Sequence, residues 1–345
     1  MKFFVWMGSF ILVILMAIYT IAFTVFGNGI VAQKIESEIR EATKLDAKLS
    51  TFTLSMSDFK IVLELSKSNK VTLIGNYSLF SQAFNIAYRV NFEAVEELKN
   101  LTNAPLVGRI FTEGKVKGNM AFIEVDGLSD IAKSDTTYHI ELTNLDPTSI
   151  IAKVQKADLA SLLRLGGQSA YASAEVNLDV NFKNITPHKL DGDILLKTIN
   201  AKIDTALMKK DFNITLPKTS FVLNLGAKLH GDDIDYTYKL NSNLANITSG
   251  GKIIPQPLSI DINYGVDIQE LAVLQPITGA ALRGAFKTKG IVLGTKKSIL
   301  VKGTSDIGGS DTTYKVALKE FQPQSVLATI KGAKLQKILY MLGQP

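Results

Sequence analysis

The chain has 345 residues, of which 46% are hydrophobic and 20% charged, and it carries a net charge of +6 with three histidines and no cysteine. This composition excludes disulfides and thiolate metal sites, and it describes a chain that can bury a large core. His139, His188 and His230 are far apart, so their spacing predicts neither a metal cage nor a relay of general bases. Lysine and arginine form no run of five or more, which argues against nucleic-acid binding and supports only a weak preference for anionic membrane surfaces.

The N-terminal segment is apolar enough to cross a membrane. No charged residue occurs from Phe3 to Gln33, and residues 3–26 are almost continuously apolar. About 20 helical residues span a bilayer, whereas the apolar region of a cleaved signal peptide has about 7–15 residues and a cleavage site after it. We therefore predict an uncleaved transmembrane anchor over residues 1–28, with a cytoplasmic N-terminus. A cleaved signal peptide is the alternative.

A short amphipathic helix is predicted over residues 29–44. Val31, Ile35, Ile39 and Ala42 recur at helical spacing, and charged residues occupy the other face. The helix could lie on the membrane surface or cap the open end of the β structure that follows. The capping interpretation is favoured.

Two segments of the chain are copies of one unit. Residues 106–168 and 282–344 align without a gap at an offset of 176 residues, and 26 of the 63 aligned pairs are identical. The same offset extends upstream into earlier strands, which identifies an internal repeat. We predict the following organisation: repeat 1 over residues 45–168, connecting strands over 169–218, and repeat 2 over 219–345.

Within this unit apolar and polar residues alternate, which is typical of strands with one apolar and one polar face. Turn residues interrupt the alternation about every 8–12 residues, as in a β meander. Helical spacing occurs only in four short segments, near residues 92–101, 157–165, 268–275 and 333–342. These helices cannot cover about twenty strands, so the apolar face must pack on another sheet, curl on itself, or be covered by something else.

The apolar positions of three alternating strands are the candidate ligand-contacting residues. These twelve residues are Phe84, Ile86, Tyr88, Val90, Val176, Leu178, Val180, Phe182, Ile260, Ile262, Tyr264 and Val266. A sheet that is apolar on one side forms either an open groove for an apolar ligand or half of a closed sandwich. Both interpretations stay open on the residues alone.

Three motifs are suggestive of chemistry but are better explained as structure. A glycine pattern recurs at Gly108, Gly114, Gly118 and at Gly284, Gly290, Gly294. Strand-like sequence follows it, so we predict turns and strand kinks rather than a phosphate loop. In the repeated Ser-Asp-Thr-Thr-Tyr, we expect Ser134 and Asp135 to bond backbone amides in a turn. His230 and the aspartates at 232, 233 and 235 are expected to form a solvated hairpin, and we predict no catalytic residue, metal or cofactor.

The order of these features resembles the AsmA-like proteins of Gram-negative envelopes, which are similar to the bridge-like lipid-transfer proteins of eukaryotes. The resemblance is carried by the apolar N-terminus, the short helix, the alternating strands, and the pattern L-x-G-x5-G-x3-G with SDTTY and GQ. It implies a mainly β fold, in which an N-terminal transmembrane helix precedes an elongated, curved antiparallel β-sheet groove with a few short helices, built on the internal repeat.

The resemblance also implies a function. It implies a single-pass inner-membrane protein whose bulk is periplasmic and which carries phospholipid acyl chains between membranes or supports outer-membrane assembly. The alternative is a closed β-sandwich that acts as a scaffold of an envelope or secretion complex and binds no lipid. In addition, we expect the strand near Ser325 to Ile330 to be an unprotected edge that an envelope protein, or a continuation of the gene product, would pair with.

Overall fold

The computed structural model describes residues 28–55, 57–102 and 104–344, so the predicted anchor lies outside the described residues. In the part of the chain that is described, no helix is both long and apolar enough to cross a membrane. That part contains eighteen strands and six short α-helices, which confirms a mainly β fold. The chain divides into two compact units, one ending at Ser169 and one beginning at Ala170, so the predicted connecting strands group with repeat 2.

The first unit is a helix followed by an antiparallel meander. Its α-helices are α1 (Asn28–Thr43), α2 (Lys99–Thr102) and α3 (Leu159–Leu165). Its strands are β1 (Ala47–Leu54), β2 (Asp58–Leu65), β3 (Asn69–Tyr77), β4 (Phe84–Phe92), β5 (Ile110–Gly118), β6 (Phe122–Ser129), β7 (Asp135–Thr143) and β8 (Asp146–Asp158). Each strand pairs antiparallel with the next one in the chain, which is the arrangement that short turns between strands favour.

The second unit is a longer meander of the same kind. Its strands are β9 (Ala172–Asn184), β10 (Asp191–Ile203), β11 (Ser220–His230), β12 (Asp233–Ser242), β13 (Asn246–Ile254), β14 (Ser259–Ile268), β15 (Phe286–Thr295), β16 (Ser298–Ser305), β17 (Asp311–Lys319) and β18 (Gln322–Lys331). Its α-helices are α4 (Thr205–Phe212), α5 (Gln275–Thr278) and α6 (Leu335–Met341). All of its registered pairs are antiparallel and join consecutive strands. The four predicted helical segments coincide with helices, whereas α4 has no counterpart among them.

The sequence repeat is also a structural repeat. Strands β6 and β7 recur 176 residues later, with identical bounds, as β16 and β17, and helix α3 recurs in the same way as α6. The glycine pattern behaves as predicted, because Gly118 and Gly294 end strands with positive φ angles of 141° and 140°. A strand, not a helix, follows each of them, so these glycines build no phosphate loop.

Helix α1 covers the apolar face of the first unit. Val31 and Ile35 are buried in a cluster with side chains of β1 to β5, and Ile39 packs against that cluster. The capping interpretation of this helix is therefore confirmed. The assignment of Ala42 to the apolar face was wrong, since Ala42 is exposed and Thr43 is buried instead. Thr43 continues the i+4 series from Val31, and its hydroxyl donates to the Ile39 carbonyl at 2.6 Å.

Candidate functional site

Eight of the twelve predicted residues share one face of the second unit. Val180 on β9 lies opposite Ile194 on β10, and the register continues from strand to strand until it reaches Ile262 on β14. The complete cross-strand row is Val180, Ile194, Ala227, Tyr236, Gly251, Ile262, Val292, Val301, Val316 and Val326. We call the face that contains this row the apolar face. The neighbouring rows on it contain Leu178 with Tyr264, Val176 with Val266, and Phe182 with Ile260.

The opposite face of the same sheet is polar. It contains Asn177 and Asp179 on β9 and their counterparts at alternate positions of the later strands. Two cross-strand ion pairs lie on it, Lys252 with Asp233, and Lys287 with Asp267 at 2.9 Å. The alternation read from the sequence therefore corresponds to two chemically different surfaces.

The two copies differ in how far this apolar face is buried. In the first unit, Ile86 and Val90 are 0% exposed and Tyr88 is 3% exposed, since they belong to a filled core, while Phe84 at its margin is half-buried. Their counterparts Ile262, Val266 and Tyr264 are only half-buried. The predicted positions thus lie inside a packed core in one copy and on an accessible apolar surface in the other. A ligand can reach the second set without displacing core side chains.

A shorter covering helix accounts for this difference. Helix α4 occupies the position in repeat 2 that α1 occupies in repeat 1, but it has 8 residues where α1 has 16. At the offset of 176 residues, Ile35 corresponds to Asp211 and Ile39 to Thr215. Both replacements are exposed, whereas Ile35 is buried. Repeat 2 therefore lacks the side chains that fill the face of repeat 1.

An apolar cavity of about 290 Å³ lies beside α6 in the second unit. Its lining residues are Ile268, Leu271, Leu282, Phe286, Ile307, Ile338, Met341 and Leu342. At the equivalent positions of the first unit, Phe92, Val95 and Ile110 are buried in the core cluster. The cavity is therefore a second place where repeat 2 leaves apolar side chains uncovered.

A tyrosine pair bridges two adjacent glycines on this face in both copies. Tyr264 and Tyr314 meet with their hydroxyl oxygens 2.5 Å apart, and Thr288 lies 2.5 Å from the Tyr314 hydroxyl. The Thr288 hydroxyl donates to the Thr304 carbonyl, so the three hydroxyls can form one directed chain from Tyr264 to that carbonyl. Between the tyrosines, Gly290 and Gly303 lie opposite each other, and a Cβ atom at Gly303 would come within 2.4 Å of the Tyr314 ring.

The same chain occurs in repeat 1 as Tyr88, Tyr138 and Thr112, again with oxygen separations of 2.5 Å. Burial raises the pKa of Tyr88 and of Tyr264, so both phenols are neutral at pH 7 and act as hydrogen-bonding groups rather than as bases. The Ser-Asp-Thr-Thr-Tyr motif supplies the second tyrosine of each pair. The expected amide contacts of its Ser and Asp are wrong, because Ser134 pairs with the Thr136 hydroxyl at 2.7 Å and Asp135 faces Lys156 at 3.7 Å.

The histidines are dispersed, as their sequence spacing suggested. His188 contacts Asp232 at 3.0 Å, and His230 contacts Asp191 at 3.3 Å, so the aspartates after His230 do not converge on it. Among the described residues, no group of three or more acidic, histidine or cysteine side chains could hold a metal ion. No protein-family model, curated protein or solved structure matches the chain. The functional proposal therefore rests on the residues of the two units alone.

The sequence pattern located the apolar face but not the tyrosine pairs. Tyr88 and Tyr138 are 50 residues apart, and only the register through β5 and β6 brings them together. The available signal was their recurrence at Tyr264 and Tyr314 with glycines between them at equal offsets. A pair of glycines flanked by aromatic residues in one cross-strand row is how a sheet accommodates glycine without leaving a gap.

Proposed function

We propose that this chain is an inner-membrane-anchored periplasmic protein that carries phospholipid acyl chains between membranes or supports outer-membrane assembly. In this proposal the apolar face of the second unit is one side of an elongated, curved groove. The observation that supports it is the contrast between the copies, since Ile86 is enclosed by core side chains and Ile262 is not. The apolar N-terminal segment would hold the chain at the membrane from which it takes lipid.

An acyl chain is a suitable occupant of this face. Each methylene group that leaves water contributes about 0.8 kcal/mol, and the half-buried isoleucine, valine and leucine side chains of β9 to β16 offer a continuous surface for it. The lining has no fixed polar geometry apart from the tyrosine pair, so it would hold many chains of similar shape. Weak selectivity of this kind suits a protein that must also release its cargo.

A closed scaffold that binds no lipid is the second candidate function. The filled core of the first unit favours it, because Leu63, Leu73 and Ile86 show that this unit buries an apolar face with its own side chains. A partner protein could cover the face of the second unit in the same way. Lipid content separates the two candidates.

The test uses one aspartate on each face of the second unit. Ile262→Asp places a carboxylate on the apolar face, while the matched control Thr248→Asp places one on the exposed polar face opposite Lys239. Both full-length variants and the wild type are purified in detergent, and bound phospholipid is counted by native mass spectrometry. We expect lipid on the wild type and on Thr248→Asp, and a loss of most of it from Ile262→Asp without unfolding. Equal lipid on all three, or none on the wild type, contradicts the lipid-carrying proposal.

We also propose that strand β18 is where a protein partner of the envelope pairs with this chain. Among the described residues, β18 is registered only with β17, and all ten of its residues are exposed, including Val326, Leu327 and Ile330. An uncovered strand edge offers unpaired backbone groups to an extended segment of a partner. A photo-crosslinker at Leu327 should give a discrete adduct in intact cells, and one at Thr248 should not. The reverse pattern counts against the edge as the docking site.

A further inference from the structure

An open depression of about 710 Å³ lies over the polar face of strands β14 to β18. Three lysines from neighbouring strands, Lys289, Lys302 and Lys315, line it and are exposed. Its remaining polar-face lining is Asn263, Ile291, Thr304, Thr313, Leu327 and Thr329. The backbone of Gly290 and Gly303 forms part of its floor, so the depression lies on the reverse side of the tyrosine pair.

The three lysines have no anionic partner in the described part of the chain, and no ion pair or hydrogen bond involves their side chains. Lys302 and Lys315 are moreover directly opposite each other on β16 and β17. Like charges in directly opposed positions of an antiparallel pair are destabilising. Other lysines of this face, such as Lys252 and Lys287, do pair with aspartates.

The first copy has the opposite charge at the same positions. Lys289 corresponds to Glu113, which binds Arg89 at 2.7 Å. Lys302 and Lys315 correspond to Asp126 and His139, which contact each other at 2.7 Å. The backbone of the repeat therefore accommodates a neutralised pair there. Repeat 2 instead presents three unneutralised cations around a concave surface.

We propose that this lysine depression is a binding site for a phosphate group. Register places Lys289, Thr304, Thr313 and Thr329 in one cross-strand row and Lys302 and Lys315 in the adjacent row of the same face. Three ammonium groups next to three threonine hydroxyls match the charge and the several acceptor oxygens of a phosphate. Binding would also relieve the repulsion between Lys302 and Lys315. The phosphate could belong to a lipid headgroup or to a soluble phosphate ester, and both carry the same recognised group.

The decisive variant installs the side chains of repeat 1. Lys302→Asp combined with Lys315→His recreates the pair that Asp126 and His139 form on equivalent strands, so this variant is expected to fold and to melt no lower than the wild type. The matched control, Lys183→Gln combined with Lys239→Gln, removes two exposed lysines of β9 and β12. Binding of radiolabelled inorganic phosphate to the full chain in neutral detergent is measured by equilibrium dialysis at low ionic strength.

We expect saturable binding that weakens with added salt, a loss of at least about tenfold in affinity in the repeat-1 variant, and a change of less than about twofold in the control. Absence of saturable binding to the wild type, or equal losses in both variants, overturns the site. Glycerophosphoglycerol, the headgroup of phosphatidylglycerol without its chains, distinguishes the sources. Tighter binding of this diester than of inorganic phosphate, lost in the repeat-1 variant, assigns a lipid headgroup, and the reverse preference assigns a soluble phosphate. Because the depression is on the polar face, this result is independent of the lipid content of Ile262→Asp.

Discussion

Single residues at equivalent positions have different surroundings in the two copies. Ile86 and Ile262 are both isoleucines in the centre of a strand, with a tyrosine two residues later. Ile86 is enclosed by core side chains, whereas water reaches Ile262. The cost of placing a charge at each position therefore measures how closed each face is.

We predict that Ile86→Asp destabilises the first unit by several kcal/mol and that Ile262→Asp costs much less. A carboxylate without a partner in a filled core must either stay charged at a large desolvation cost or become neutral, while a solvated one keeps its water. Differential scanning calorimetry of the two full-length variants checks this. Similar losses from both variants would mean that the face of repeat 2 is as closed as that of repeat 1.

The tyrosine pairs allow a second comparison at residue scale. In repeat 1, Tyr138→Phe removes the acceptor of Tyr88 and the partner of the buried Thr112 hydroxyl. We predict a cost of about 1–3 kcal/mol, because a buried hydroxyl loses its hydrogen bond. Tyr314→Phe should cost less, since Tyr264 is half-buried and water can replace the lost partner. Urea unfolding of both variants gives the comparison, and a larger cost at Tyr314 would contradict it.

At the scale of whole elements, α1 and α4 show how one helix decides whether a sheet is covered. Helix α1 contacts β1 along its length and inserts Val31 and Ile35 into the core. Helix α4 is short, and its Phe212 is 54% exposed although its ring packs on Tyr171 with centroids 5.1 Å apart. Most of the stability of a surface helix comes from the apolar stripe it buries, and α4 has little to bury.

We predict that Ile35→Ala lowers the stability of the first unit by about 2–4 kcal/mol, the cost of a cavity beneath a packed helix. Leu207→Ala, at the position in α4 that corresponds to Val31, should cost less than about 1.5 kcal/mol, since Leu207 is only half-buried. Calorimetric unfolding of the two variants provides the measurement. Equal costs would show that α4 covers its sheet as effectively as α1.

The two C-terminal helices of the repeats differ at their N-caps. In α3, the Asp158 carboxylate accepts from the Ser161 backbone amide at 3.2 Å and from its hydroxyl at 2.5 Å, and these hydrogen bonds lower the Asp158 pKa. In α6 the equivalent residue is Lys334, whose backbone is also extended, with φ −94° and ψ 111°, but whose side chain makes no cap. The same backbone therefore has a cap in one copy and none in the other.

We predict that Lys334→Asp stabilises the second unit by about 0.5–1 kcal/mol by supplying this cap. The gain should be present at pH 7 and disappear in acid, because a capping carboxylate has a lowered pKa and is lost as the pH falls through that value. Melting temperatures at pH 7 and pH 3 test the effect, with Asp158→Ala as the reverse substitution in repeat 1. A variant that melts no higher than the wild type at pH 7 counts against a vacant cap.

At the scale of the whole molecule, the two units divide different tasks between copies of one fold. The first unit fills its apolar face and pairs the charges on its polar face, as in Arg89 with Glu113. The second unit leaves both faces incomplete, with uncovered apolar side chains on one and unpaired lysines on the other. Incomplete surfaces lower stability, so they are the features we associate with binding.

We predict that backbone amides of β2 to β4 exchange with deuterium more slowly than those of β13 to β16. Local opening requires the loss of buried apolar contacts, and these are denser in the first unit. Hydrogen exchange read by mass spectrometry measures both segments in one sample. Added phospholipid should slow exchange in β13 to β16 and leave β2 to β4 unchanged, whereas an equal effect on both would argue against a lipid site in repeat 2.

The sequence by itself determined the strands, the repeat and the polarity of each face. Alternation with a period of two assigns Val180 and Ile262 to an apolar face whatever the tertiary structure, and identities at one constant offset imply equal strand bounds in the two copies. Helix α1 was predictable because its apolar residues recur at a spacing of four. Helix α4 was not, because its short segment has no such stripe.

Only the tertiary structure decided which copy is filled and which groups meet. Burial of Ile86 depends on whether a helix 16 residues long lies over it, and that is a contact between distant segments rather than a property of its own strand. The opposition of Lys302 and Lys315 depends in the same way on strand register, because a shift of one residue would place one of them on the other face. Local pattern specifies the chemistry of a face, and long-range packing specifies whether that face is core or surface.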